Sequence, residues 1–354
     1  MANPLENKLK KLIAGEGAIS IAQFMQLALF DAEEGYYTRR EIFGEFGDFI
    51  TAPEISQIFG EIMGSYAAYK WQELGSPENF QIIELGPGRG ALLNDFLRAT
   101  QHIPKFHAAL HIALVELSPR LIKIQAEILN NYQVSFKHHQ EFAEIASQDS
   151  FIIANEFFDA LPINQYQYQG GKWHERKIAL NEQDEFNFVL EKNQQAASEF
   201  IREPQQPVSG DIYEISFASL HIMDQLAEFL SNTKSIAVLV DYGYAKKQYG
   251  DSLQALKKHQ YHEIFKDLGH ADLTAHVDFS ALVKIAGKYT NLSHQLLSQA
   301  EFLLGFGASE RHKQLKQDVS SDVQEKLDRA FERLTHPEQM GELFKVLLIE
   351  NSSK

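Results

Sequence analysis

Phe80-Gln81-Ile82-Ile83-Glu84-Leu85-Gly86-Pro87-Gly88-Arg89-Gly90 decides the fold of this chain. An apolar run of this kind reads as a short buried strand, and it ends in a turn with glycine at every second position. Glycine carries no Cβ and tolerates positive φ, so such a turn lets a nucleotide-like ligand approach the backbone closely. The next apolar run, Ile112-Ala113-Leu114-Val115, ends in Glu116. An acid at the tip of the second strand can accept hydrogen bonds from a ribose diol. Together the two strand ends predict a doubly wound α/β sheet that binds an adenosine-containing cofactor.

The pattern on either side supports that reading. Apolar runs at Gln81–Leu85, Ile112–Glu116, Val134–Lys137, Phe151–Asn155 and Ser235–Asp241 alternate with helical periodicity at Leu92–Thr100, Pro119–Asn130 and Leu220–Ser231. Strands separated by helices imply a parallel sheet covered on both faces. Tyr289–Gln295 and Phe344–Glu350 would complete a seven-stranded sheet. Upstream, Ile21–Leu29 has helical spacing behind Ser20 as an N-cap. A second helix is expected from Glu54 to about Leu74.

Residues 1–78 are therefore expected to form a helical N-terminal segment packing on a core domain of 79–354. Two insertions are expected in that core. One, at about 165–215, is antiparallel, with Tyr166–Gln169 and Lys172–Trp173 joined by a tight Gly170-Gly171 turn. The other, at about 278–335, is helical with a break at Gly305-Phe306-Gly307. The polar stretch Gln194–Pro207 is expected to be a loop.

Composition removes whole classes of function. The chain has 354 residues, 44% hydrophobic, with a formal net charge of −15 and no cysteine. Disulfides, thiolate catalysis and cysteine-ligated metal centres are excluded. The acidic balance argues against a nucleic-acid partner and suits an arginine- or lysine-bearing one. No run reaches the length of a membrane span, and no export signal opens the chain, so the expected location is cytoplasmic and no membrane insertion is expected. The apolar stripe of the N-terminal helices serves either core or an interface, which leaves an oligomer open.

The glycine turn and four further segments bear on the chemistry. Gly86, Gly88 and Ala91 also satisfy the dinucleotide fingerprint, so the turn by itself admits either a nicotinamide cofactor or S-adenosylmethionine (SAM). Glu84 before the turn, where a cofactor ammonium could be received, and Gly90 within it, favour SAM. Ile152–Pro162 is a buried strand ending in Asn155-Glu156-Phe157-Phe158-Asp159, whose polar residues should emerge at the carboxyl edge of the sheet. There Asn155 would position a substrate amine or the methyl donor. Glu156 and Asp159 would clamp a guanidinium, or else cap a following helix. In Gly47–Ser56, Thr51 ahead of Pro53 and Glu54 makes a complete helix start. A functional alternative puts Thr51 and that N-terminus against the cofactor's carboxylate. His270, Asp272, His276 and Asp278 lack a zinc-site spacing, and no metal is expected. Asp241-Tyr242-Gly243 is either a lining element or a turn.

In order along the chain, Gly47–Ser56, Glu84–Gly90, Val115–Pro119, Asn155–Pro162, Asp241–Gly243, Asp272–Phe279 and Met340–Val346 resemble the MidA-like SAM-dependent methyltransferase family. The resemblance extends from about Ser20 to Val346. It implies a class I methyltransferase fold that binds SAM. Mitochondrial members of that family are complex I assembly factors that act as protein arginine methyltransferases. The resemblance therefore implies methyl transfer to an arginine of a partner protein, with a complex I subunit as one such partner. On it, Glu156, Asp159 and Asn155 are the catalytic candidates, and Thr51, Glu84, Gly86, Gly88, Gly90 and Glu116 the cofactor-binding ones. The competing readings are a nicotinamide-dependent oxidoreductase and a non-catalytic assembly factor with a SAM pocket.

Overall fold

The computed structural model describes residues 3–38, 51–191, 201–202, 205–258 and 260–352. The chain divides into two compact units. One is taken from Met1–Phe49, Asp159–His221 and Lys246–His276, the other from Ile50–Phe158, Ile222–Ala245 and Val277–Lys354.

The second unit holds the main sheet. Its strands are β1 Phe80–Leu85, β2 Leu110–Val115, β3 Ser135–His139, β4 Ser150–Asn155, β5 Ile236–Tyr244, β6 Leu292–Ser298 and β7 Phe344–Asn351. Their spatial order is β3-β2-β1-β4-β5-β7-β6. All neighbours among β1 to β5 run parallel, and β7 lies antiparallel between β5 and β6. This is the order of the class I methyltransferase fold, as the sequence predicts. Val277–Asp278 adds a short parallel pairing to the end of β5.

Every residue of β1 is buried, which is why Phe80–Leu85 reads as a continuous apolar run rather than an alternating one. The chain leaves β1 toward β2 on one side, while β4 returns on the other. The crevice at the carboxyl ends of β1 and β4 is thus the topological switch point, where open α/β sheets bind ligands.

The helix Gln57–Glu73 belongs to this unit, so the boundary falls near residue 50 rather than at 78. The reason is packing. Ile58, Phe59, Ile62, Met63 and Tyr66 join the same core cluster as Phe80, Ile82 and Phe151. Gly60 and Gly64 let the helix press against Ala91–Thr100. A Cβ at Gly60 would lie 2.7 Å from the Asp95 Cβ, and one at Gly64 would lie 2.9 Å from the Phe96 carbonyl oxygen. Nor is the region 278–335 an insertion outside the sheet. It contributes β6 along with helices Phe279–Ala286, Gln299–Gly305, Ala308–Leu315 and Ser321–Thr335. The predicted break at Gly305–Gly307 is present, with Gly307 at φ 95° capping the helix that follows.

The first unit gathers helices Pro4–Glu16 and Ile21–Phe30 with an antiparallel sheet. That sheet is ordered Ile19–Ser20, Lys172–Leu180, Asn164–Gln169, Ile212–Ile215, with Phe186–Leu190 paired to Lys172–Leu180. Gly170 and Gly171 both take positive φ in the predicted tight turn. Leu5, Leu9, Phe24, Met25 and Ile178 share one apolar core, so the N-terminal helices join the antiparallel element in one cluster. Gln254–Lys257, Gln260–His262 and Asp272–Thr274 form a further three-stranded sheet in the same unit. Most of Gln194–Pro207 lies outside the described residues.

Candidate functional site

The glycine turn follows β1 with all three glycines in the left-handed region: Gly86 at φ 62°, Gly88 at 52° and Gly90 at 78°. Gly90 then opens the helix Ala91–Thr100. The three glycines differ in surroundings. A Cβ at Gly86 would strike the Phe157 ring at 2.9 Å, and one at Gly90 would touch Ile128 at 3.4 Å, whereas one at Gly88 meets nothing within 4 Å. Gly88 therefore presents bare backbone to open space, the condition for close ligand approach.

Glu84, the penultimate residue of β1, is 3% exposed. Its Oε2 is buried without a hydrogen-bond partner. Burial, reinforced by the charge of Glu116, pushes its carboxyl up to about 8. A buried carboxyl in this state lacks a donor or a cation.

Glu116 stands directly after β2 and is half-buried. Its Oε1 accepts from the Ser118 N–H at 2.8 Å and its Oε2 from Gln125 Nε2 at 3.1 Å. Burial raises its pKa, and these hydrogen bonds oppose the rise. Gln125, 1% exposed on the helix Pro119–Leu129, also donates to the Gly88 carbonyl at 2.7 Å. Sequence reading passed over Gln125. Its signal was a polar residue at the middle of the buried stripe Leu121, Gln125, Leu129.

At the tip of β4 the chain turns sharply. Glu156 takes φ 49°, rare for a residue with a side chain, while its N–H donates to the Val240 carbonyl at 2.9 Å. The turn is fastened by Asp241, 1% exposed on β5. Asp241 Oδ2 accepts from the N–H groups of Phe157 at 3.2 Å and Phe158 at 2.9 Å. Asp241 is thus the anchor of the turn. The Glu156 carboxylate accepts from the Ala52 N–H at 3.0 Å, at the start of the short helix Ala52–Ile55. Glu156 therefore meets the start of an earlier helix, not a following one, and it takes up an amide of the N-terminus to which a cofactor carboxylate was the alternative. Thr51 is the N-cap residue there, as the structural reading of its motif expects. Gly47–Ile50 lie outside the described residues. Asn155 Oδ1 is buried without a partner.

Asp159 is counted with the other unit; it is 5% exposed, and its carbonyl accepts from the Ala275 N–H at 3.0 Å. In that unit Asp272 accepts from the Tyr37 hydroxyl at 2.9 and 3.1 Å. The His276 N–H donates to Ser252 Oγ at 3.0 Å. Asp278 caps the helix Phe279–Ala286. Asp272, His276 and Asp278 thus each make a different contact.

The second unit therefore offers, at one sheet edge, an open glycine cradle, an acid for a diol, an unsatisfied buried acid and an unsatisfied amide oxygen. An adenosyl amino acid fits that donor and acceptor set: the diol for Glu116, the ammonium for Glu84. A family model described as "Putative S-adenosyl-L-methionine-dependent methyltransferase" matches residues 62–296. The mitochondrial protein arginine methyltransferase NDUFAF7 homologue of Drosophila melanogaster is 35% identical over 97% of this chain and 84% of its own length. The human protein arginine methyltransferase NDUFAF7 is 32% identical over 97% of this chain and 83% of its own length. A crystal structure of a superfamily member from Burkholderia thailandensis bound to S-adenosylhomocysteine superposes with a TM-score of 0.85. It is 23% identical, and the match covers 99% of this chain and 92% of that one. The chain belongs to this family of SAM-dependent methyltransferases. The cytoplasmic expectation is overturned by the curated relatives, which are named as mitochondrial.

Proposed function

We propose that this chain transfers methyl groups to arginine side chains of a partner protein, a respiratory complex I subunit among the candidates. The observation that carries the proposal is the Glu156 carboxylate, held in a left-handed backbone conformation at the tip of β4, the strand that pairs with the glycine-turn strand β1. Backbone cost of this kind, roughly 1–3 kcal/mol, persists where the surroundings enforce it and clusters at functional sites. The names of the curated relatives as protein arginine methyltransferases support the same substrate class.

The division of labour follows from the residues. Gly88 leaves room for the cofactor, Glu116 accepts from its ribose, and Glu84 receives its ammonium. SAM supplies an electrophilic methyl group. A guanidinium is a poor nucleophile, because its lone pair is delocalised and its pKa exceeds about 12. Glu156 would bind that guanidinium through charge-assisted hydrogen bonds, fix its orientation, and hold positive charge away from the attacking nitrogen. Asn155 would place its amide oxygen beside the reacting groups. Asp159 remains a separate candidate for the substrate, tested by its own variant.

The experiment is transfer of a radiolabelled methyl group to candidate protein substrates, with Glu156→Gln alongside. Label on arginine in the wild type, lost in the variant, supports the proposal. Transfer that survives Glu156→Gln, or label on another residue type, contradicts it.

A further inference from the structure

We propose that Gln125 is the positioning residue that sets selectivity for the ribose diol, by holding the Glu116 carboxylate and the Gly88 carbonyl in one rigid frame. The inference rests on the reading of Glu116 as the ribose acceptor.

A glutamine amide has two donors and one carbonyl acceptor. Gln125 commits all three. Its Nε2 donates to the Gly88 carbonyl at 2.7 Å and to Glu116 Oε2 at 3.1 Å, and its Oε1 accepts from His138 Nε2 at 2.9 Å. The amide cannot be flipped without setting its oxygen against a carbonyl and a carboxylate. His138, on β3, selects the orientation by presenting an N–H to Oε1. Burial, and next the charge of His139, lowers the His138 pKa.

The consequence falls on Glu116. A carboxylate has about four lone-pair positions. Ser118 takes one on Oε1 and Gln125 takes one on Oε2. The Leu117 N–H also interacts with this carboxylate, and the positions that remain are open to ribose hydroxyls. Without Gln125, Glu116 keeps only backbone partners from its own turn and loses the bond that fixes Oε2 relative to the glycine turn. A carboxylate loosened in this way still attracts donors but no longer distinguishes a diol from a single hydroxyl. The same amide tethers the apex of the glycine turn, so the diol acceptor and the backbone cradle are kept in register with each other.

Binding calorimetry on the full chain tests this, with S-adenosylhomocysteine and its 2′-deoxyadenosyl analogue as probes. Wild-type protein is expected to prefer the intact diol by about ten-fold or more, the scale of one hydrogen bond to a charged acceptor. Gln125→Met, close in volume, is expected to shrink that preference to within about three-fold, matching Glu116→Gln. Should Gln125→Met not fold, His138→Phe, which removes the group orienting the amide, is read in its place and is expected to shrink the preference at least in part. A folded Gln125→Met that keeps the wild-type preference, however much it weakens both ligands, overturns the inference, because a purely structural role would weaken both alike. If it does not fold, an unchanged preference in His138→Phe does the same. If Glu116→Gln keeps the preference, or the wild type binds neither probe, the underlying reading of Glu116 fails first.

Discussion

The tips of β1 and β2 and the tip of β4 lie at the same edge of one sheet, yet they are built in opposite ways. At the first, left-handed backbone is entrusted to glycines, and the side chains that matter stand behind the turn, at Glu84, Glu116 and Gln125. At the second, a glutamate itself takes φ 49°, pinned by Val240, Asp241 and Ala52. Glycine would have adopted that turn at no steric cost. The contrast teaches what each tip is for. Where a ligand must approach the backbone, the side chain is dispensed with. If Glu156 is the substrate-binding group proposed above, the fold accepts backbone strain to present its side chain.

Substitutions at the two tips should therefore fail differently. Gly88→Val places a branched side chain at φ 52°, in space that is open in the free protein. It is expected to cost over a hundred-fold in S-adenosylhomocysteine affinity by calorimetry, equivalent to about 2.7 kcal/mol or more. Glu156→Gln keeps an acceptor for the Ala52 N–H but removes the charge. Methyl transfer is expected to fall about a hundred-fold, the scale of losing one electrostatic contact at a reacting centre, with affinity for S-adenosylhomocysteine within about three-fold of wild type. If the two variants lose binding equally, the contrast between the tips is wrong.

Glu84 sharpens the comparison through pH. Its carboxyl ionises near 4.5 in the unfolded chain and only near 8 in the folded one. Between those values the folded protein holds a proton the unfolded chain has released, so stability falls as pH rises through the window and levels off above 8. Glu84→Gln should remove this dependence. Relative to wild type it should gain about 3–4 kcal/mol between pH 5 and pH 8 in denaturant titrations, while binding S-adenosylhomocysteine more weakly. The smallest expected effect is at the anchor of the second tip. Both oxygens of Asp241 accept backbone N–H groups, which an asparagine cannot match. Asp241→Asn should destabilise by about 1–2 kcal/mol and lower methyl transfer more than cofactor affinity.

Much of this was legible in the chain because a parallel sheet buried on both faces writes itself as apolar runs. Four of the seven strands, the glycine turn and the acid after β2 could be read that way, while β3 alternates with burial only on one face and the two later strands, which pair antiparallel, were read from shorter apolar stretches. What escaped depends on contacts remote in sequence. The helix Gln57–Glu73 carries an amphipathic stripe, which does not reveal that its glycines press it against Ala91–Thr100 within the core unit. The first unit is drawn from three separate stretches, and no local pattern announces that Leu5 and Ile178 share a core. Glu156 and Asp159 are three residues apart in the chain, and nothing local marks that the division into units falls between Phe158 and Asp159. Gln125 was masked by its own helix, where one polar residue amid leucines carries no functional mark until the Gly88 carbonyl and Glu116 are seen around it.

A crystal structure of the full chain with S-adenosylhomocysteine bound tests the central claim most directly. Ribose hydroxyls are expected on the Glu116 carboxylate, the amino group at Glu84, backbone contact at Gly88, and the sulfur turned toward Asn155 and Glu156. A nucleoside seated away from the tips of β1 and β2, or a sulfur facing away from the β4 turn, would contradict it.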